Sequence, residues 1–392
     1  MTKHYDIVVV GGGIHGVGVA QAAAAQGYQT MLLEQNELAS GTSSRSSKLI
    51  HGGLRYLENG QFTLVKECLN ERRILLHIAP DIVKLQAFYI PIYKNTQRRP
   101  WQIVLGLSLY ALLNKLEKSG HFHRLPKKSW AQLDDISTDN LQSVLCYYDA
   151  QTDDALLTRT VMKSAQTLGA ELVMPAVLES AEIGEKSCII NYQINGTQHS
   201  CETKALVNAA GPWVNHVLKK ISPQQKTQAI DLVQGTHIIV SGTLSKGCYY
   251  MEAPEDKRAV FAMPWQGNTL VGTTETAFSE EDPKNVQAKD FEIDYLWQTL
   301  CHYFPSYRGQ RNKLISCFAG LRVLPASDNK NFNKPRETIL LTNRPQQPRL
   351  LSIYGGKLTA YRATAEAVMK RLQASLPQAK FNGDTKNISL NL

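Results

Sequence analysis

Three glycines at Gly11, Gly13 and Gly16, followed eighteen positions later by Glu34, are the residues of this 392-residue chain whose spacing speaks first of chemistry. Gly11-x-Gly13-x-x-Gly16 supplies a tight turn, a backbone with no Cβ where a pyrophosphate must approach, and close contact between a helix and a strand. Amides at the start of that helix face the phosphates. Glu34 is placed to accept hydrogen bonds from a ribose hydroxyl pair, which speaks against a 2'-phosphate. A second polar cluster follows, "SSRSSKLIHGGLRYLE" from Ser43 to Glu58. It is too polar for core and too apolar for a linker, as expected of a segment that wraps a polar ligand while anchored at Leu49-Ile50 and Leu54/Leu57. Hydroxyls, amides and one lysine in this loop suit a long ligand with many polar handles, such as FAD.

The elements that must position these groups are legible around them. Tyr5 to Val10 is the continuous β-branched run of a strand buried on both faces. An alanine-rich helix runs on to Gln26-Gly27, and a second strand, Thr30 to Leu33, delivers Glu34. Two distant stretches repeat the strand–glycine–helix pattern: "ALVNAAGPWVNHV" from Ala205, with Gly211, and "LLSIYGGKLTAYRATAEAVMKRL" from Leu350, with Gly355-Gly356. Taken singly each is an ordinary strand-to-helix turn. Three in one chain point to a single ligand site assembled from separated segments.

Composition sets the limits. The chain is 43% hydrophobic, enough to bury one or two cores, and its 43 basic against 34 acidic residues give +9, which favours an anionic partner. The aromatic residues are not interleaved with a basic stripe, so no nucleic-acid partner is expected. Seven scattered cysteines without a C-x-x-C pair imply neither a disulfide framework nor a zinc cage, and none of the ten histidines suggests a metal, so no metal is expected. The first apolar run ends in glycines rather than in a cleavage site, and no signal peptide is read. The run Ile103–Leu113 is too short to span a bilayer.

Seven segments occur in an order that resembles the FAD-dependent, membrane-associated glycerol-3-phosphate dehydrogenases of the glycine/D-amino-acid oxidase superfamily: "TSSRSSKLIHGGLRYLE", "NAAGPWV", "QGTHIIV", "DKRAVFAMPW", "LVGTTE", "GLRVL" and "LLSIYGGKLTAYR". The resemblance covers Asp6 to about Leu372. It implies an α/β fold in which a Rossmann-type FAD-binding domain (1–77, 146–226 and 335–385) is joined to an α+β substrate domain with a mixed sheet (78–145 and 227–334), leaving 386–392 as a tail. It departs from the family in lacking the usual C-terminal helical domain, in Val323 where a proline is expected after Arg322, and in Glu275 where an aspartate is usual.

By the same resemblance, FAD is held non-covalently by Gly11, Gly13, Ile14, Gly16 and Glu34, and by Thr42, Ser43, Ser44, Ser47, Lys48, Leu49, His51, Gly52 and Gly53. Val177, Ala210, Gly211 and Trp213, with Gly355, Gly356, Lys357, Leu358 and Thr359, complete that set. Glycerol 3-phosphate is clamped by Arg55, Arg322 and Arg336, with Tyr56 and Thr273 as neutral hydrogen-bonding partners and Lys357 beside the flavin. Arginine suits the clamp because its planar fork matches phosphate oxygens. The base is His51 or His237, and the choice stays open, since a histidine within "THIIV" is also a common core residue. Electrons are expected to pass to ubiquinone or another membrane acceptor, with the protein peripheral on the inner face of the cytoplasmic membrane. "RRPWQIVLGLSLYALLNKLEK", Arg98 to Lys118, has the basic ends, tryptophan and apolar middle of a helix lying on an anionic membrane surface, yet it also fits a core helix. The alternatives are a flavin oxidase of a 2-hydroxy acid or amino acid, and a non-catalytic FAD-binding protein of the membrane surface. Oligomeric state is left open.

Overall fold

A computed structural model describes residues 3–58, 60–115, 117, 120–326 and 338–391. The chain opens β1 (Lys3–Val10), α1 (Ile14–Ala25), β2 (Thr30–Leu33), β3 (Leu49–Ile50), α2 (Arg55–Glu58), α3 (Phe62–Ile78), β4 (Val83–Tyr93) and α4 (Pro100–Leu113). It continues β5 (His123–Arg124), β6 (Leu141–Thr152), α5 (Asp154–Thr167), β7 (Glu171–Val173), β8 (Val177–Ile183), β9 (Cys188–Ile194), β10 (Thr197–Asn208), α6 (Val214–Leu218) and β11 (Ile221–Ser222). Then come β12 (Ile230–Val240), β13 (Cys248–Glu252), β14 (Ala259–Trp265), β15 (Asn268–Gly272), β16 (Thr276–Ala277), α7 (Asp290–Tyr303), β17 (Leu314–Pro325), β18 (Ile339–Thr342), β19 (Leu350–Tyr354) and α8 (Tyr361–Leu372).

The strands form two mixed sheets. The first runs β11-β8-β9-β10-β1-β2-β7, with β19 beside the C-terminal half of β10 and β18 beside β19. Its centre is parallel: Val8 lies opposite Leu206 of β10 and Met31 of β2, and Leu206 opposite Leu350 of β19. β1 is buried on both sides, as its β-branched run requires. Ile7 and Val9 join a core with α1, α5 and α8, while Val8 and Val10 join another with the β8–β10 meander. The second sheet runs β16-β12-β15-β14-β13-β4-β6-β3, with β17 along β12 and β5 on β6. α7 packs against it, and the inner face of α4 closes a further core through Leu107 and Tyr110.

Two boundaries differ from the sequence reading. The divide expected at 146 falls inside β6, an unbroken strand of the second sheet, because β6 pairs with β4 from Val83 to Tyr93. Residues 386–391 do not form a loose tail. Asn382 and Gly383 donate their amides to Ala25 O, Leu390 N donates to Ile78 O at 2.6 Å, and the Leu390 side chain is fully buried. An apolar anchor near the end of a polar stretch outweighs its average composition.

Candidate active site

A cavity of about 950 Å³ lies between the two sheets, near the upper end of the range for ligand pockets. One end is walled by Gly11–Ile14, Glu34 and Val177; the other by Tyr56, His237, Thr273, Arg322 and Lys357. At the first end the glycine turn is forced. Gly11 has φ +112°, and a Cβ there would stand 2.7 Å from Ala209 O; a Cβ on Gly16 would stand 1.8 Å from Gly11 O. Glu34 Oε2 accepts the Gly12 amide at 2.6 Å and Oε1 accepts that of Asn36 at 2.8 Å, which pins the carboxylate at the tip of β2.

The polar loop between β2 and α2 forms the floor. Ser43 Oγ accepts the Ile14 amide at 2.9 Å, and Thr42 Oγ1 donates to Leu321 O at 2.8 Å, tying the loop to both α1 and β17. Ser47, Leu49, His51, Gly53, Ala210, Gly211, Trp213, Gly355, Gly356, Leu358 and Thr359 also line the cavity. Gly16 sits behind the wall, where it sets the contact of α1 with the turn. Ser44 and Gly52 are likewise off the lining, and Ser44 Oγ turns to Gly41 O.

Lys48 does not reach the cavity. Its side chain is buried, and its ammonium donates to Asp154 Oδ1 at 2.6 Å and to Ser44 O, while Asp154 Oδ2 takes the Ser46 amide. An acid at the start of α5, 106 residues away, thus folds the loop around a buried ion pair, and no local signal marks that pairing. Arg336 lies outside the described residues.

At the far end Arg322 is held in place before any ligand arrives. Its Nη1 donates to Glu275 Oε1 at 3.0 Å and its Nη2 to Thr273 Oγ1 at 3.3 Å; the other oxygen of Glu275 takes Arg258. Glu275 appeared in the sequence as a departure and Arg258 as one letter of a motif; their pairing was not foreseen. Nor was Glu292 on α7, which accepts hydrogen bonds from Thr236, Thr274, Thr276 and Gln234. Burial alone would raise its pKa, but hydrogen bonds from Thr274, Thr236, Thr276 and the Lys289 amide hold it below the usual value. It fastens Thr273 and Glu275 against the strand that carries His237. On the opposite wall Arg55 and Tyr56 project from α2, and Lys357 Nζ sits 4.1 Å from the centroid of the Tyr56 ring.

His237 lines the cavity yet is 1% exposed, stacked on Phe318 at 4.9 Å with Nε2 3.0 Å from Ser47 Oγ. Burial, with Arg322 and Lys48 nearby, pushes its pKa down to about 3. His15, on the first turn of α1 and absent from the sequence reading, lies against Gly356, where a Cβ would stand 2.1 Å from Nε2, and burial lowers it to about 4. Both imidazoles are therefore neutral in the folded chain at neutral pH, and the Nδ1 atom of each is buried without a hydrogen-bond partner among the described residues. Between about pH 6.5 and the folded values, unfolding takes up protons that the folded state refuses, so acid destabilises the protein by about 1.4 kcal/mol per pH unit for each histidine. We expect His237→Asn to remove one such contribution. Tm measured from pH 7 down to roughly pH 4 should fall less steeply than in the wild type, and parallel curves would show that His237 is not held neutral.

The residues present fit FAD. The glycine turn stands where a Cβ on Gly11 or Gly16 would collide with backbone, Glu34 is pinned at the tip of β2 beside it, and two imidazole nitrogens, His15 Nδ1 and His237 Nδ1, have no hydrogen-bond partner among the described residues.

Comparison with known proteins agrees with this geometry. The FAD dependent oxidoreductase family matches residues 6–362. A glycerol-3-phosphate dehydrogenase of Pseudomonas aeruginosa is 39% identical over 379 residues, 95% of this chain and 72% of that protein. A D-erythritol 1-phosphate dehydrogenase of Brucella abortus is 36% identical, over 95% of this chain and 74% of that protein. Among solved structures, the glycerol-3-phosphate dehydrogenase of Bacillus halodurans complexed with FAD superposes with a TM-score of 0.76 at 30% identity, covering 99% of this chain and 68% of that one.

Proposed function

This chain belongs to the FAD dependent oxidoreductase family, and on that premise we propose that it oxidises sn-glycerol 3-phosphate to dihydroxyacetone phosphate and hands the electrons to a membrane quinone. The observation that carries the substrate is the set of cations, Arg55, Arg322 and Lys357, at one end of a cavity whose other end is built for a dinucleotide. One or two cations suffice for a carboxylate, whereas a phosphate dianion wants a larger cluster. The names of the relatives point the same way.

FAD held by the glycine turn, Glu34 and the Gly355–Gly356 turn would supply the acceptor for the hydride of the secondary carbon. Arg322, steadied by Glu275 and Thr273, and Arg55 hold the phosphate, which fixes the carbinol carbon relative to the cavity wall. The hydroxyl proton goes to His51. His237 is a poor acceptor, since its conjugate acid forms only near pH 3, and it serves instead as a neutral hydrogen-bonding partner of Ser47. Lys357 supplies positive charge beside the reacting atoms, where negative charge gathers.

Anaerobic mixing of the yellow protein with glycerol 3-phosphate, D-erythritol 1-phosphate, lactate, 2-hydroxyglutarate and D-alanine tests the substrate. Bleaching by glycerol 3-phosphate is expected. Bleaching by a hydroxy acid or amino acid alone would replace this assignment, and D-erythritol 1-phosphate alone would keep the phosphate clamp but change the polyol.

The quinone and membrane parts rest on α4. No described helix is long and apolar enough to cross a membrane, yet Trp101, Leu105 and Leu112 of α4 are 65%, 65% and 61% exposed. Leu109, which sequence periodicity places with them, is half-buried, and Lys118 lies outside the described residues. Arg98 donates to Glu58, and Arg99 to Lys94 O. An outward apolar stripe flanked by basic residues suits the headgroup layer of an anionic membrane, consistent with a peripheral protein on the inner leaflet. Changing Trp101, Leu105 and Leu112 to Ser removes side chains worth about 1.5 to 3 kcal/mol each on full burial. Vesicle sedimentation should drop at least about 100-fold, with dye-linked turnover intact. Undiminished sedimentation would place the membrane face elsewhere.

A further inference from the structure

The inner side of α4 carries a different kind of group. Tyr110 is 1% exposed, and its hydroxyl oxygen accepts the Gly52 amide at 2.8 Å while donating to Asp149 Oδ2, also at 2.8 Å. Asp149 is ion-paired with Arg72 of α3, whose guanidinium lies over the Tyr110 ring, 5.9 Å from its centroid. All of these groups are buried. Gly52 is off the cavity lining, whereas His51 and Gly53 on either side of it form the wall. The hydroxyl therefore grips that wall from behind. The fit leaves no slack, since a Cβ on Gly52 would come within 2.5 Å of the tyrosine oxygen. Thr359 Oγ1, which accepts the His51 amide at 3.1 Å, is the second anchor of the same segment. One helix diameter away, α4 exposes Trp101, Leu105 and Leu112.

We infer that Tyr110 is a positioning residue for the His51–Gly53 wall, and that through its hydroxyl a load on the outer face of α4 is carried to the FAD cavity. The first half rests on FAD occupying the cavity and the second on α4 meeting lipid. The chemistry is a pair of neutral and charge-assisted hydrogen bonds in the interior, where a lost acceptor leaves the Gly52 N–H and one Asp149 oxygen without a partner. A segment with this anchor removed shifts until water or another group satisfies it.

Tyr110→Phe keeps the ring and removes the oxygen. The readouts are the FAD affinity of the purified chain and the visible flavin spectrum, neither of which needs turnover. The variant is expected to bind FAD about fivefold or more weakly and to show displaced flavin bands. Leu107→Ala, on the same buried face, weakens packing but leaves the hydroxyl in place, and its bands should match the wild type. An unchanged Tyr110→Phe, or a Leu107→Ala that shifts the bands equally, would overturn the positioning role. In a second arm, wild-type holoprotein is mixed with vesicles of phosphatidylglycerol and phosphatidylethanolamine. Its flavin bands should move on binding, and those of Tyr110→Phe should stay still although it sediments equally. Wild-type protein that sediments with unmoved bands refutes the transmission, and this arm decides even if the variant fails to fold. Wild-type protein that does not sediment removes both the lipid reading and the transmission, while the first arm still settles the role of the tyrosine.

Discussion

Arg322→Ala raises the concentration of glycerol 3-phosphate needed for half-maximal turnover by about 10- to 150-fold and leaves the FAD content near that of the wild type. The size follows from losing one charge-assisted hydrogen bond to the phosphate, worth about 1.5 to 3 kcal/mol, with each 1.4 kcal/mol equal to a factor of ten. The sign is reinforced by what stays behind. Glu275 keeps Arg258 but no longer faces Arg322, so one positive charge leaves a site that must receive a dianion. His237 also changes, because Arg322 is one of the causes that depress its pKa; in the variant that value rises from about 3. Dye-linked kinetics and the ratio of flavin to protein absorbance read both effects. A variant that loses flavin while its remaining holoenzyme keeps a normal KM would show that Arg322 shapes the fold and not the phosphate site.

Gly16→Ala produces a colourless protein. Its Cβ would stand 1.8 Å from Gly11 O and 3.0 Å from Gly11 C, both backbone atoms, so no side-chain rotation relieves the collision and α1 must withdraw from the turn that faces the pyrophosphate. A loss of FAD affinity of roughly 100-fold or more is expected, the effect of about 3 kcal/mol or more. Gly13→Ala makes the contrast: the nearest protein atom to its Cβ is Ser43 Oγ at 3.2 Å, the end of a side chain that can turn, so α1 keeps its place and the added methyl acts only on the approach of the pyrophosphate. That variant should lose FAD affinity by a smaller factor than Gly16→Ala. Flavin content after purification, with far-ultraviolet circular dichroism to confirm folding, ranks the two. Equal yellow colour in both would mean that the glycine spacing is incidental to cofactor binding.

The cofactor end of the cavity was legible because its determinants are local. A β-branched strand, three glycines and an acid at the tip of the next strand lie within thirty residues, and β1, α1 and β2 form where that pattern places them. The long cavity loop was legible in composition but not in the roles of its members. Lys48 resembles a ligand contact until Asp154 is brought to it from α5, and Ser43 proves to hold the Ile14 amide. α4 illustrates a different limit: an apolar helix reads alike whether it faces core or lipid, and the pairing of Tyr110 with Gly52 cannot be deduced from periodicity. Glu292 is the extreme case. Its partners lie on β12, on β16 and in the loop before β16, 16 to 58 residues away, and they meet only because β12 and β16 pair.

The position of β19 bears on how the protein is made. The sheet begun by β1 and β2 within the first 34 residues is extended beyond β10 by β19, at 350–354, and the turn after that strand brings Gly356 against His15. During synthesis the first half of the dinucleotide site leaves the ribosome long before the last. With a domain emerging at about 5 to 20 residues per second, the gap is tens of seconds; α1 lacks its neighbour α8 throughout it, and from the completion of β10 onward that strand presents an unpaired edge. A nascent chain in that interval is exposed to chaperones and to edge-to-edge association. A ribosome stalled before residue 350 should therefore carry a chain that cannot retain flavin, however complete its glycine motif.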